Sequence, residues 1–249
     1  MYYRSDVAYL YDGTFEGMLC CIFDSFSKKI HPAAISSQDA PQLTLYPTSF
    51  IETDPNIAER VKIGIRKKIS HSALILIKDA FFSKLQQKEL LILDFVRLGM
   101  ENGSQTMSML ANDVVTKLRK AALHLSKETE HFKGFVRFSV HGQLLFSIIE
   151  PKNFVLPYLA PHFCDRFRNF PFIIYDKSHR FALVYKPYEY FIVPMEDFTP
   201  PEADDDELKF RTLWKNFYDS VAIDERVDEK RRMRCMPKRY WAHLTEINI

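Results

Sequence analysis

The sequence is poor in glycine, and this scarcity excludes one large group of functions. Only 7 of the 249 residues are glycine. Neither the phosphate-binding pattern G-x-x-x-x-G-K-[ST] nor the dinucleotide-binding pattern G-x-G-x-x-G occurs. Both patterns need glycine so that the backbone can approach a phosphate closely. We therefore exclude nucleotide chemistry that depends on a glycine-rich loop.

The chain also lacks an excess of charge of either sign. It has 34 Lys and Arg against 32 Asp and Glu, which gives a net charge of +2. This balance creates no long-range field that would draw the whole protein to DNA or to a membrane. A nucleic-acid surface must therefore come from a local cluster of cations. The hydrophobic share of 47% and the charged share of 27% exclude disordered and collagen-like classes.

The four cysteines do not show the spacing of a metal-binding motif. Cys20, Cys21, Cys164 and Cys235 form no C-x-x-C pair, which excludes a zinc ribbon or an iron–sulfur cluster. We expect Cys20 and Cys21, neighbours in an apolar stretch, to be buried thiols in a reducing cytosol. The N-terminus has no signal-peptide pattern, and no apolar stretch approaches the roughly 20 residues of a membrane span. We expect a soluble, cytoplasmic protein without metal or cofactor.

The N-terminal half has helical periodicity. Thr14 is placed to cap a segment whose apolar residues recur at helical spacing as far as Ile30. Asp54 followed by Pro55 is a typical helix start, and the composition of residues 71–130 favours further helices. Two extended segments complete this half, over residues 7–11 and 43–51. We therefore predict an N-terminal βα unit followed by a helical insertion.

From Gly134 onwards the pattern changes to that of strands. Residues 135–149 and 171–185 predict two hairpins, with a helix over 153–167 between them and a further strand over 188–193. The predicted fold class is α+β, with a mixed or antiparallel sheet layer after the helical insertion and helices at the C-terminus. We expect one domain over residues 1–249, in which 54–131 could form a helical subdomain and 132–200 a β-rich part.

The C-terminal tail contains a cluster of cations. Residues 226–243 carry seven Lys and Arg against two acids, a local net charge of +5. Cations interleaved with aromatic residues are typical of phosphate contacts combined with base stacking. The predicted nucleic-acid-binding residues are Arg231, Arg232, Arg234, Lys238, Arg239, Tyr240 and Trp241. The alternative is a docked segment in which Trp241 fills a core pocket while the cations stay solvated or pair with the acidic run 202–207.

A second basic cluster lies within residues 60–68. It contains five cations and no acid. This cluster could form a positive surface facing a groove. It could equally be the solvated face of a helix.

Acid–base chemistry has several candidate residues. They are Asp12, Glu16, Glu150, His162 and Asp165. Asp12 and Glu16 stand four residues apart where a strand meets a helix, a common place for catalytic acids. Asp12 could instead form an Asx turn, and Glu16 could complement the helix dipole. His162 and Asp165 stand among aromatic residues and either line a pocket or belong to a buried hydrogen-bond network.

One triplet has the spacing of metal ligands. His124, Glu128 and His131 follow at intervals of four and three residues, so a continuous helix would place them on one face. The residues between them are ordinary, and we predict no metal site.

Four segments together resemble a known family. They are Tyr11–Gly17, Gly134–Phe138, Leu159–Phe167 and Met236–Trp241. In order and spacing they are similar to a bacterial family described as DNA metabolism or DNA repair proteins, built on a domain of unknown function. The resemblance covers nearly the whole chain. One departure is Phe132, because the family commonly has an arginine after the histidine that matches His131.

The resemblance implies a pathway and not a reaction. Members are typically encoded beside a radical-SAM protein similar to spore photoproduct lyase, and some are fused to a uracil-DNA-glycosylase-like domain. We expect this chain to lack the glycosylase domain, since it ends shortly after Trp241, and it has no C-x-x-x-C-x-x-C pattern of the radical-SAM partner. The implied partners are DNA and that radical-SAM protein.

These observations leave three functions open. We favour a DNA-binding accessory to a radical-SAM DNA modification or repair enzyme. The first alternative is an enzyme that acts on a nucleobase or nucleotide by carboxylate and histidine acid–base chemistry. The second is a protein–protein adaptor without direct DNA contact, which an aromatic content of 14% would suit.

Overall fold

The structure, a computed structural model, combines helices with sheets of mixed strand direction, which confirms the predicted α+β class. It describes residues 3–4, 6–38, 45–196 and 228–244, and positions 208, 209, 212–214, 216 and 220. The chain divides into two units, Met1–His124 and Leu125–Ile249. The prediction of one domain over the whole chain stays a prediction. None of the described helices is long and apolar enough to cross a membrane.

Two small parallel sheets belong to the first unit. Their strands are β1 (Tyr3–Arg4), β2 (Ala8–Tyr11), β3 (Ile30–His31), β4 (Ala34–Ser37) and β5 (Thr48–Phe50). One sheet has the order β4-β2-β5, and the other pairs β1 with β3. Strand β2 is central and largely buried. The strands predicted near residues 7–11 and 43–51 are thus confirmed as β2 and β5.

Several helices follow or separate these strands in the described part of the chain. They are α1 (Phe15–Ser27), α2 (Pro55–Lys68), α3 (His71–Phe82) and α4 (Lys88–Asn102), followed by a 3₁₀ helix over Gly103–Ser108 and by α5 (Asp113–Phe135), which ends in the second unit. The Thr14 hydroxyl accepts a hydrogen bond from the Gly17 amide, and the Asp54 carboxylate accepts one from Asn56. Both predicted helix starts are confirmed.

The predicted end of the first helix is wrong. The apolar spacing continues to Ile30, but α1 ends at Ser27 and Ile30 belongs to β3. Lys29 has a φ of 56°, in the left-handed region, and this reverses the chain after the helix. Helix α1 packs its apolar face into the core, where Met18, Leu19 and Cys21 are fully buried.

A five-stranded sheet dominates the second unit. Its strands are β6 (Ser139–His141), β7 (Leu144–Ile149), β8 (Phe172–Asp176), β9 (Phe181–Lys186) and β10 (Glu189–Pro194), in the order β10-β9-β8-β7-β6. Both predicted hairpins and the further strand are confirmed, although α5 extends to Phe135 and shortens the first hairpin. Strands β7 and β8 are parallel, because helix α6 (Leu156–Arg166) connects them; the other pairs are antiparallel.

The described C-terminal segment consists of α7 (Glu229–Cys235) and a 3₁₀ helix over Lys238–His243. Tyr240 and Leu244 are buried in it. The predicted acidic run 202–207 lies outside the described residues, and so do Phe210, Phe217 and Val221 of the helix predicted after it.

Candidate functional site

Asp12 lies at the carboxyl end of the central strand β2, where ligands often bind in parallel sheets. Its Oδ1 accepts hydrogen bonds from the Thr14 amide at 3.0 Å and the Thr14 hydroxyl at 2.7 Å. Its Oδ2 accepts one from the Thr53 hydroxyl at 2.8 Å. Burial raises the pKa of this carboxyl, but the hydrogen bonds from Thr14 and Thr53 outweigh it and hold the pKa below its usual value. The carboxylate therefore links the start of α1 to the segment before α2.

Gly17 is required for this contact. A Cβ atom there would lie 2.2 Å from Asp12 Oδ1 and 2.7 Å from Thr53 Oγ1, well inside contact distance. Glu16 points to a different partner, Lys62, whose Nζ lies 2.8 Å from Glu16 Oε1. The geometry thus presents the Asx-turn role considered for Asp12. Glu16 lies in the first turn of α1, as its helix-dipole role requires, and also forms an ion pair with Lys62 that was not predicted.

The basic cluster of residues 60–68 is largely engaged within the first unit. Lys62 pairs with Glu16, Arg66 Nη1 lies 3.8 Å from Glu59 Oε1, and Arg60 lies over the ring of Phe23 at 5.2 Å. An apolar pocket nearby is lined by Ile22, Phe23, Phe26, Arg60, Val61, Gly64, Val96 and Met100. Asp12 and Glu16 are not among its lining residues.

In the second unit, a buried carboxylate fixes the C-terminal segment. Glu128 on α5 is 2% exposed. It accepts hydrogen bonds from the Lys152 amide at 3.1 Å and from the Asn153 amide at 2.8 Å, and a further one from the Asn153 side chain. Arg239 Nη1 lies 2.8 Å from Glu128 Oε1. Glu128, considered above as a possible metal ligand, is therefore a buried acceptor that pairs with the partly exposed Arg239.

Tyr240 is the apolar anchor of the same segment. Its ring packs against Phe132, Phe135 and His131, with centroid distances of 5.0, 5.2 and 5.3 Å. Its hydroxyl accepts a hydrogen bond from Arg239 and lies 3.2 Å from His131 Nδ1. Burial raises the pKa of the Tyr240 hydroxyl, although Arg239 partly opposes this. With 5% exposure, the ring belongs to the core and has no free face for a base.

The other predicted tail residues whose side chains the structure describes differ in exposure. Arg234 and Lys238 are exposed, and Lys238 Nζ lies 5.7 Å from the ring centroid of Trp241. Trp241 is half-buried and its indole N–H donates to the Met236 carbonyl at 2.9 Å. Arg231 and Arg232 lie on α7, and their side chains are outside what the structure describes. The exposed cations therefore stand on a segment that Tyr240 and Glu128 hold in place.

Glu150 is the residue that follows β7, and its side chain contacts Lys177, the residue that follows β8. Its Oε1 accepts a hydrogen bond from Lys177 Nζ at 3.1 Å and lies 3.2 Å from His243 Nε2. Lys177 lowers the pKa of the Glu150 carboxyl, with a smaller contribution from His243. This pairing brings one predicted acid–base residue to the C-terminal segment.

An Asp–His pair that we did not predict lies at the same edge of the sheet. Asp176, the last residue of β8, is fully buried, and its Oδ2 lies 2.7 Å from His179 Nδ1. Its Oδ1 accepts hydrogen bonds from the amides of Ser178 and His179. Burial raises the pKa of Asp176, while the contacts with His179 oppose the shift. The spacing D-x-x-H was visible in the sequence, but a turn accounts for it equally well.

His162 and Asp165 lie on helix α6, away from this pair in sequence. The Nε2 atom of His162 is buried and has no hydrogen-bond partner among the described residues. Asp165 is exposed and its Oδ1 lies 2.6 Å from Arg168 Nη2. Buried His162 Nε2 and the exposed Asp165 carboxylate therefore do not form the hydrogen-bond network considered for this pair.

The described residues contain no group of three or more His, Cys, Asp or Glu that could hold a metal ion. A sequence model for a domain of unknown function, DUF4130, matches residues 86–246. That range covers more than half of the chain and includes the C-terminal segment and the Asp176–His179 pair. A comparison with curated proteins found no match.

Proposed function

The chain belongs to the DUF4130 family, and we propose that it is a DNA-binding accessory protein whose phosphate contacts are made by the C-terminal segment 228–244. One observation carries this proposal. Arg234 and Lys238 are exposed on a segment whose position is fixed by buried Tyr240 and Leu244 and by the Arg239–Glu128 ion pair.

Anchoring matters because a fixed array of cations loses little conformational freedom when it meets a row of phosphates. Duplex DNA carries phosphates at short, regular intervals, and each one neutralised releases bound counterions. The local charge of +5 in residues 226–243 supplies this attraction although the whole chain is almost neutral. Such a protein would hold DNA for a partner enzyme. The resemblance described above implies that this partner is a radical-SAM modification or repair enzyme.

The test is a salt titration of binding to fluorescently labelled duplex and single-stranded DNA, followed by anisotropy. The wild-type chain is expected to bind with an affinity that falls steeply with salt. The Arg234→Gln/Lys238→Gln variant should bind more weakly, with a log–log salt slope smaller by up to about 1.8 on duplex DNA, about 0.9 for each phosphate that the variant no longer neutralises. Both side chains are exposed, so folding should be unchanged.

The matched control is Arg119→Gln/Lys120→Gln, which removes one arginine and one lysine from the exposed face of α5. It should leave affinity and slope close to those of the wild type. Equal weakening of binding in the two variants would mean that only net charge matters, and would contradict a defined phosphate surface. Absence of binding by the wild type at low salt would overturn the proposal.

A second function is favoured by the Asp176–His179 pair. A buried carboxylate that accepts from His Nδ1 fixes the ring and leaves Nε2 as a proton acceptor, which is the usual arrangement of a general base. Glu150 and Lys177 lie at the same edge of the sheet. The chain would then act on a nucleobase or nucleotide, with His179 as the base.

This second function is tested by mass spectrometry of nucleotides and base-modified oligonucleotides incubated with the protein. Turnover should fall by about 10²–10⁴-fold in His179→Gln and stay unchanged in His141→Gln, a histidine on β6. Turnover that survives His179→Gln would exclude this base.

A further inference from the structure

A turn in the second unit holds an aromatic residue in a conformation that suits glycine. Strands β9 and β10 are joined by the two residues Pro187 and Tyr188, because Lys186 pairs directly with Glu189. Tyr188 has a φ of 72°. Proline followed by a residue of positive φ is the pattern of a type II turn, whose second central position strongly favours glycine or asparagine. A bulky side chain there is strained.

Packing of the Tyr188 side chain does not offset this strain. That side chain is 81% exposed, the highest exposure of any aromatic residue among the described positions. Its backbone, in contrast, is held firmly. The Tyr188 amide donates to the Tyr185 hydroxyl at 3.0 Å, and that hydroxyl donates to the Arg168 carbonyl at 2.8 Å. Strained residues that their surroundings hold in place occur mainly at functional sites.

A second exposed aromatic side chain, Tyr190, lies two residues further along the chain, on β10. Tyr190 is paired directly with Tyr185, whose ring stacks on Phe172 at 4.8 Å. Directly opposed residues in an antiparallel pair point to the same face, so Tyr190 points to the face of Tyr185. Tyr190 is 49% exposed. Phe191, exposed to a similar degree, is the next residue of the strand and points to the opposite face.

A cation accompanies the two rings. The Tyr185 hydroxyl contacts both the Arg168 carbonyl and the Tyr188 amide, which places Arg168 beside the turn. The Arg168–Asp165 ion pair is exposed on both sides, and such pairs contribute little to stability. A phosphate could therefore replace Asp165 as the partner of Arg168 at small cost.

We propose that Tyr188, Tyr190 and Arg168 form a binding site for unstacked bases of single-stranded nucleic acid, with the rings stacking on bases and Arg168 contacting phosphate. Exposed aromatic rings beside cations are the usual means by which proteins bind single strands without sequence preference. Among the described residues of 168–194, the exposed large apolar side chains are all aromatic: Phe170, Tyr188, Tyr190 and Phe191. The proposal rests on the proposed DNA-binding function and adds the form of nucleic acid that is bound.

The test compares two labelled oligonucleotides of equal length by anisotropy, an oligothymidylate and a strand made of abasic sites. Both carry phosphates, but only the first carries bases. The wild type should bind the oligothymidylate more tightly. Tyr188→Gly and Tyr190→Ala should each weaken that binding by about 5- to 150-fold and leave binding of the abasic strand unchanged.

Folding and stacking are separated by the choice of variants. Tyr188→Gly should melt at or above the wild-type temperature, because glycine relieves the strain at a φ of 72°. Tyr188→Phe keeps a ring and should keep most of the affinity. Phe191→Ala removes a similarly exposed ring from the opposite face and should bind as the wild type does.

Three results overturn the proposal in distinguishable ways. Oligothymidylate binding that survives Tyr188→Gly and Tyr190→Ala would exclude this site while leaving the proposed DNA-binding function intact. Equally weakened binding in Phe191→Ala would show a general effect of surface aromatic residues and would also exclude the site. No binding of any DNA by the wild type would overturn both proposals, and the exposed rings would then be assigned to a protein partner.

Discussion

Two aspartates, one in each unit, occupy equivalent places and have opposite properties. Asp12 follows the central parallel strand of the first unit, and Asp176 ends a strand of the parallel pair in the second. Both accept hydrogen bonds from backbone amides and from side chains close by in sequence. The pKa of Asp12 is nevertheless lowered, whereas that of Asp176 is raised.

Burial accounts for the difference. Asp176 is fully buried, while Asp12 keeps contact with solvent. Removing a carboxylate from water penalises its charged form, and hydrogen bonds offset that penalty only in part. Similar sets of donors therefore stabilise the charge of Asp12 and fail to do so for Asp176. Asp12 is suited to a structural link, and Asp176 to a position in which a proton is shared with a histidine.

The largest expected effect comes from Gly17→Ala. The new Cβ would collide with Asp12 Oδ1 and Thr53 Oγ1, and the displaced carboxylate would no longer accept its hydrogen bonds. We expect the free energy of unfolding to fall by about 2–4 kcal/mol. Gly64→Ala on α2 is the control, because nothing lies within 4 Å of its Cβ position, and it should stabilise by about 0.5–1 kcal/mol. Urea denaturation measures both, and equal effects would contradict a special role for Gly17.

A smaller effect is expected for Asp12→Asn, which should lower the free energy of unfolding by about 1–3 kcal/mol at neutral pH. The folded-state pKa of Asp12 is lowered, so its contribution is fully present above the ordinary value of 3.8 and is lost as the pH falls below it. The stability difference between wild type and variant should therefore shrink on acidification from pH 4 downwards. A difference that is constant with pH would mean that the charge of Asp12 contributes nothing.

The smallest effect is expected for Asp176→Asn, which should lower the free energy of unfolding by about 1 kcal/mol or less at neutral pH. Asparagine can still accept hydrogen bonds from the Ser178 and His179 amides. Here the folded-state pKa is raised, so the wild type loses stability as the pH rises from 3.8 towards the folded pKa. The wild-type advantage over the variant should fall with rising pH, opposite in sign to the Asp12 case. The same sign for both variants would refute the role assigned to burial.

Much of the fold could be predicted because its signals are local. Thr14 and Asp54 mark helix starts by chemistry that acts within three residues, and both helices begin there. The hairpins of the second unit follow from alternation and turn residues. The predicted end of α1 was wrong for the same reason, since the apolar spacing continues to Ile30 and does not reveal that Lys29 turns the chain.

The candidate site depended on contacts between distant residues, which no local pattern contains. Glu128 and Arg239 are separated by 111 positions in the sequence, and their ion pair could be found only in the fold. The tail contained two aromatic residues side by side, and the core takes Tyr240 while Trp241 remains half-buried. The orientation of the two side chains on the 3₁₀ helix decides which of them is buried. This helix has only six residues, too few for a hydrophobic period to be recognised in the sequence.

The buried cysteines of α1 allow unfolding to be followed by the reactivity of their thiols. Burial raises the pKa of the Cys20 and Cys21 thiols, so both remain protonated in the folded state and react slowly with alkylating reagents. Cys235 is exposed on α7 and is open to reagent without unfolding. The order in which these thiols are labelled along a denaturant series, read by peptide mass, therefore reports when the core around α1 opens, without any added probe.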